Sequence, residues 1–151
     1  YLSALESAYI ICKIPRYDIK GREILQTNEK YYIGDQSLAY AVMGYKDRMI
    51  SGILENIVML ELERRGYRVC VGKLYTKEVD FIAEQKNDKV YIQVSYTPTV
   101  SQETIDREFA PLLAVKDHYP KYVVTMDDFW RDNVEGVRHK HLAEFLLMDE
   151  Y

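Results

Sequence analysis

The sequence predicts an α/β fold whose core runs helix, three-strand meander, helix, strand, with a short helix-and-hairpin segment ahead of it. Three observations carry that prediction. Ile50, Ile53, Leu54, Ile57, Val58 and Leu62 form a wide apolar stripe at helical spacing, broadened by Met59 and Leu60. Between Tyr67 and Tyr96, apolar and polar residues alternate in three stretches divided by turn residues. A second amphipathic pattern from Ser101 to His118 then precedes the buried run Tyr122-Val123-Val124.

Taken in order, Leu2, Leu5 and Tyr9 have the spacing of a helix tail ending near Ala8. The β-rich run Tyr9 to Ile14 follows, then a turn at Lys20-Gly21 and two short strands at Glu23 to Leu25 and Lys30 to Ile33. Asp35 has the position of an N-cap for a short helix through Leu38 and Val42. Helix followed by hairpin is the second half of a winged-helix module, so residues 1–45 read as a truncated winged-helix-like segment and 46–151 as the main domain. The apolar helix ends at Gly66, a C′ glycine. Tyr67 to Val71, Glu78 to Glu84 and Lys89 to Tyr96 are the three strands, the last two joined at Asn87-Asp88. Pro111 is expected to kink or split the second helix. A short strand and a terminal helix occupy Val137 to Leu147.

Composition bounds the function. The 151 residues carry 48% hydrophobic and 29% charged side chains, the balance of a globular domain. A net charge of −4 excludes a generally basic nucleic-acid binder, so any DNA contact must come from a local patch. Cys12 and Cys70 lack CxxC spacing, which suits a reducing cytoplasm and argues against a zinc ribbon. No apolar run approaches the ~20 residues of a membrane span. Because the chain opens on Tyr1 in what reads as a helix tail, an upstream portion is expected.

The most informative region is the hairpin around Asp80. A turn centred on Asn87-Asp88 would set Asp80 opposite Ser95 and Ile82 opposite Gln93. Val79, Phe81 and Ala83 would then share an apolar face with Ile92, Val94 and Tyr96. Glu78, Asp80 and Glu84 would share the other with Tyr91, Gln93 and Ser95. Glu55 lies in the apolar helix on the row of Met59 and Leu62, where an ionised carboxylate needs a partner. With that helix laid over the polar face, Glu55 approaches Asp80. Two carboxylates with the Gln93 carbonyl suit a hard divalent ion, magnesium or manganese, able to assist phosphodiester hydrolysis. A buried hydrogen-bond network tying helix to sheet is the competing reading of the same residues.

Several runs together resemble the C-terminal domain of unknown function of prokaryotic AAA-type ATPases. They are Lys30 to Asp35, Leu54-Glu55-Asn56, Arg64 to Val69, Glu78 to Phe81, Tyr91 to Val94, Arg107-Glu108, Tyr119 to Tyr122 and Phe145-Leu146. The resemblance implies an upstream ATPase module as partner, which would bind the ATP; this chain has no GxxxxGK[ST]. The second half is also similar to the PD-(D/E)XK, restriction-endonuclease-like nucleases. That similarity implies Glu55 and Asp80 as catalytic metal ligands, with Gln93-Val94-Ser95 in place of the (D/E)-X-K residues. Gln93 keeps a carbonyl oxygen without charge, and Ser95 cannot replace the lysine that polarises water. Lys73 and Lys77 are the nearby lysines.

Lys13, Arg16, Lys20 and Arg22 give the first hairpin a basic character suited to a nucleic-acid backbone, or simply to solvent. His139 and His141 alternate on a strand, yet no ligand partners stand at metal spacing, so a surface pair is expected. The expected function is the non-ATPase module of an ATPase, binding DNA through a degenerate or weak metal-dependent nuclease-like domain. A catalytically silent module that regulates the ATPase or binds another protein is the alternative.

Overall fold

The computed structural model describes residues 1–44, 46, 49–97, 101–128 and 132–151, without the side chains of Thr27 and Asn28. Along the chain lie α1 (Leu2–Ser7), β1 (Ile11–Asp18), β2 (Glu23–Ile33), α2 (Gln36–Met43) and α3 (Ile50–Arg64). Then come β3 (Arg68–Leu74), β4 (Lys77–Gln85), β5 (Asp88–Val94), α4 (Gln102–Ala114) and β6 (Lys121–Thr125). The chain closes with β7 (Asn133–Val134), β8 (Val137–His141) and α5 (Leu142–Leu147).

Among the described residues the strands form one eight-stranded sheet in the order β2-β1-β3-β4-β5-β6-β8-β7. It is mixed: β1 runs parallel to β3, and β6 parallel to both β5 and β8, while the hairpin pairs are antiparallel. Helices α3 and α5 cover one face, packing Val58, Met59, Leu62 and Phe145 on Phe81, Ile92 and Tyr122. On the other face Ile105, Phe109 and Leu112 of α4 meet Val79, Ile82 and Val123. The three-layer α/β arrangement agrees with the sequence reading in outline.

Local chemistry explains where the elements stop. The α3 helix ends in a Schellman closure: Gly66, at φ 83°, donates to the Glu63 carbonyl at 2.8 Å and Tyr67 to Leu62 at 3.0 Å. Asp35 caps α2 by accepting the Ser37 N–H at 2.8 Å. Helix α4 runs on through Pro111 without being split.

Three details differ from the sequence expectation. The two short strands expected at Glu23–Leu25 and Lys30–Ile33 are one strand. Its pairing with β1 jumps from Arg16↔Leu25 to Ile14↔Lys30. Pro15 is the single β1 residue opposite that jump, and it has no N–H to offer a ladder. Second, the first hairpin extends the common sheet through β1 and β3, with Arg16 opposite Val71, and places Ile14 and Tyr32 in the α3-side core. Tyr45, at the expected boundary of the winged-helix-like segment, lies outside the described residues. Third, the small strand β7 had no periodicity long enough to read.

Candidate functional site

Asp80 owes its position to an irregularity in β4. Cys70 pairs with Ile82 and Gly72 with Val79, so Asp80 and Phe81 together oppose the single residue Val71. This is a β-bulge, which interrupts the ladder and re-aims side chains. Val79 and Ile82 consequently both join the α4-side core, whereas Phe81 joins the α3 side. Side chains take over the disturbed ladder. The Asp80 Oδ2 accepts the Val94 N–H at 2.8 Å, and the Gln93 Oε1 accepts the Asp80 N–H at 3.3 Å.

The β4–β5 register also differs from the expected one. Ile82 pairs with Tyr91, not Gln93, and Phe81 with Ile92, because β4 continues to Gln85 and the turn falls at Lys86-Asn87. Lys86 takes φ 56° to close it. A shift of two positions keeps Phe81 and Ala83 on one face with Ile92 and Val94, but it removes Ser95 from opposite Asp80, and the bulge moves Val79 to the other face. Helix α3, moreover, covers the apolar face of this hairpin and not the polar one. Asp80 and Glu55 still meet, through the bulge.

What stands between them is Lys30, which sequence reasoning did not single out for the site. Its Nζ lies 2.7 Å from Glu78, 3.5 Å from Glu55 and 4.0 Å from Asp80. Tyr32, two residues on and therefore on the same face of β2, donates its hydroxyl to Glu55 at 3.2 Å. Arg16 pairs with Glu78 from the neighbouring strand. The one available signal was the Lys30–Tyr32 alternation. What it lacked was the position of β2 in the sheet.

The electrostatics follow from burial. Burial, then the nearby Glu55 carboxylate, pushes Asp80 up to about 7, against the pull of the Val94 N–H and Lys30. Burial opposes the charge on Lys30, yet the Glu78 hydrogen bond and the Glu55 and Asp80 charges outweigh it and hold that ammonium above its usual value. Glu78 is held below the usual carboxylate range: burial is overcome by hydrogen bonds from Lys30 and Arg16. Tyr32 is pushed far up, by burial first and Glu55 next.

A divalent ion can be tested against this donor set. Among the described residues no group of three or more His, Cys, Asp or Glu is arranged to hold one. Glu55 and Asp80 do converge on a single cationic nitrogen, that of Lys30. Two carboxylates fit a magnesium ion that keeps several of its waters. The Gln93 carbonyl oxygen gives one of its two lone pairs to the Asp80 N–H.

The remaining candidates are dispersed. Ser95 is buried just past β5, its N–H bonded to the Val124 carbonyl. Lys73 is exposed, and Lys77 donates to the Ala110 carbonyl on α4, so neither reaches Asp80. Of the basic hairpin residues, Lys13 is paired with Glu29 at 2.9 Å and Arg16 is turned to Glu78. Lys20 lies over the Tyr75 ring, and it and Arg22 line a groove on the opposite face. His139 is bonded to Thr125 at 2.8 Å, and His141 caps α5 through the Ala143 N–H, so both imidazoles have structural roles. Asn56, overlooked in the sequence, is buried and grips both backbone groups of Ile33.

Comparisons with known proteins add relatives without an assigned activity. The chain is 39% identical over 148 residues to an uncharacterized protein of Haemophilus influenzae, a match covering 97% of this chain and 36% of that protein. It is 29% identical over 155 residues to an uncharacterized protein of Methanocaldococcus jannaschii, covering 97% and 34% respectively. The chain thus spans about a third of the length of the curated relatives it matches. No family model matches it, and no solved structure gives a significant match. Among the described residues no helix is long and apolar enough to cross a membrane.

Proposed function

We propose that this chain is the non-ATPase C-terminal module of a larger prokaryotic AAA-type ATPase and acts on nucleic acid through a weak nuclease-like site. One observation carries the reading. The lysine that Ser95 fails to supply is offered by β2, with the Lys30 Nζ 3.5 Å from Glu55 and 4.0 Å from Asp80. Glu55 and Asp80 are the residues to hold magnesium or manganese, which when bound would neutralise phosphoryl charge and make a water more acidic. Lys30, held beside them by Glu78 at 2.7 Å, would offer its ammonium to a phosphate oxygen. Tyr32 orients the Glu55 carboxylate by its hydroxyl, and Gln93 holds the bulge that aims Asp80.

The test is cleavage of single- and double-stranded DNA with magnesium or manganese, comparing the chain with Asp80→Ala and Lys30→Met. Loss of nicking in both variants supports the assignment. Undiminished nicking by either would trace the activity elsewhere. The ATPase link is tested separately, by reading the open reading frame that encodes this chain for a GxxxxGK[ST] run.

A second reading, a silent module that regulates the ATPase or binds a protein partner, is favoured by the engagement of Gln93 with backbone and of Lys30 with three carboxylates. Absence of cleavage by the wild-type chain, with capture of its own ATPase module, would favour it.

A further inference from the structure

On the face of the sheet away from Lys30, a groove of about 590 Å3 runs between the β1–β2 turn and the α4–β6 loop. Tyr17 and Ile19 on one side and Tyr119 on the other pack against the α4-side core, which places the groove on that face. Its lining includes Lys20, Arg22, Lys89 and Lys116 together with the rings of Tyr17 and Tyr119. Among the described residues only Asp117 contributes a carboxylate to that lining, and Asp117 is held by Lys121 at 2.8 Å and by the Tyr91 hydroxyl at 2.6 Å. Lys20, Arg22 and Lys116 are exposed and enter no ion pair among the described residues. In a chain of net charge −4, this is a local reversal of sign.

The aromatic part has an order of its own. Lys89 Nζ lies 5.4 Å from the Tyr17 ring centroid and 5.7 Å from that of Tyr119, so it joins the two sides of the groove while bonded to Glu84. His118 stacks on Tyr119 with ring centroids 4.9 Å apart, presenting a flat surface at the rim. The β1–β2 turn also holds a non-glycine residue in the left-handed region. Arg22 sits at φ 57°, the left-handed region that glycine occupies without strain, although Gly21 is the residue before it.

We propose that this groove binds single-stranded nucleic acid, with phosphates tracked by Lys20, Arg22 and Lys116 and bases laid against Tyr119 and His118. The assignment rests on the reading that this chain acts on nucleic acid, and it adds a strand-holding surface separate from the Glu55, Asp80 and Lys30 site. Cations spaced along a groove with flat rings are the pattern that binds single strands without sequence preference. A duplex keeps its bases stacked inside and offers nothing to the rings.

The experiment is fluorescence anisotropy of a labelled oligothymidylate, and of a duplex of equal length, against the full chain over a range of salt. Three phosphate contacts predict a slope of log affinity on log salt of about −2 for the single strand. Lys20→Glu with Arg22→Glu, and separately Lys116→Glu, should flatten that slope and weaken binding at least tenfold. Tyr119→Leu keeps an apolar side chain at the core, and it should weaken binding with the slope unchanged. Equal binding by the charge-reversed chains, a preference for duplex, or no binding by the wild type would each overturn the groove assignment. Retained cleavage in that case would leave the Lys30 site standing.

Discussion

Replacing Lys30 by methionine is the sharpest perturbation the structure suggests. Methionine keeps an unbranched apolar stem of similar length and removes only the ammonium. Glu55, Glu78 and Asp80 then face one another, with Arg16 still paired with Glu78. Breaking a buried ion pair costs about 3–5 kcal/mol, because the surviving charge is left without compensation. Here the Lys30 side chain is 28% exposed and Glu78 keeps Arg16, so the cost should fall to about 2 kcal/mol. In a domain of this size that corresponds to a fall in Tm of about 4–8 °C.

Thermal melts at pH 7 and low salt are the assay, and a double-mutant cycle isolates the cause. Asp80→Asn removes the most buried of the three charges while an amide oxygen can still accept the Val94 N–H. In that background Lys30→Met should cost less, with a coupling of about 1 kcal/mol. Lys30→Arg should recover most of the stability through its charge. A methionine variant that melts with the wild type, or additive effects in the cycle, would mean that Lys30 is solvated and does not hold the cluster together.

Further expectations concern pH, the bulge and the groove. Asp80 binds its proton more tightly folded, at about 7 against an ordinary 3.8, so it adds stability below about pH 4 that is lost as pH rises to about 7. Three pKa units set an upper bound of about 4 kcal/mol. Asp80→Asn should therefore raise Tm at pH 8 and change it little at pH 4.5, and the opposite order would refute the burial argument. Gln93→Leu deprives the bulged Asp80 N–H of its acceptor at a cost of about 1 kcal/mol. Any magnesium-induced rise in Tm should survive that change and vanish in Asp80→Asn; loss in both would make Gln93 a ligand after all. Arg22→Gly should stabilise the turn by about 1 kcal/mol, since glycine accepts a positive φ freely, while weakening oligothymidylate binding. A lower Tm for that variant would show that the Arg22 side chain is structural.

Much of the fold could be read from periodicity because its elements each bury one face. The α3 stripe, the β4–β5 alternation and the Gly66 stop are local patterns set by a single helix or hairpin. Asp80 and Glu55 were legible for a related reason: a carboxylate among apolar residues has to find a partner. Lys30 was not, because its neighbours come from β4 and α3, and the parallel pairing of β1 with β3 that brings them together leaves no short-range mark. The bulge was equally silent. Val79-Asp80-Phe81-Ile82 reads as plain alternation, and only the partner strand shows that two residues face Val71. Lys13 and Arg16 illustrate the converse. Their charge is plain in the sequence, but Glu29 and Glu78 claim them once the sheet forms.

The site therefore belongs to the junctions between elements, and two devices keep those junctions in register. Asn56, the residue after Glu55, accepts the Ile33 N–H at 2.8 Å and donates to the Ile33 carbonyl at 2.9 Å, next to the strand that carries Lys30 and Tyr32. A buried amide satisfied on both sides fixes helix against strand more narrowly than apolar contact can, since a slide of one residue would orphan two backbone groups. On the other side, the Gln93 and Asp80 side chains tie β4 to β5 just beyond Phe81 and Ile92, where the backbone pairing of those strands ends. Glu55 and Lys30 are thus positioned by Asn56, and Asp80 by Gln93, neither of which has to touch a substrate. That division explains how a strand remote in sequence can bring an ammonium to two carboxylates: the constraint is on where the charges meet, and any strand on that face of the sheet can meet it.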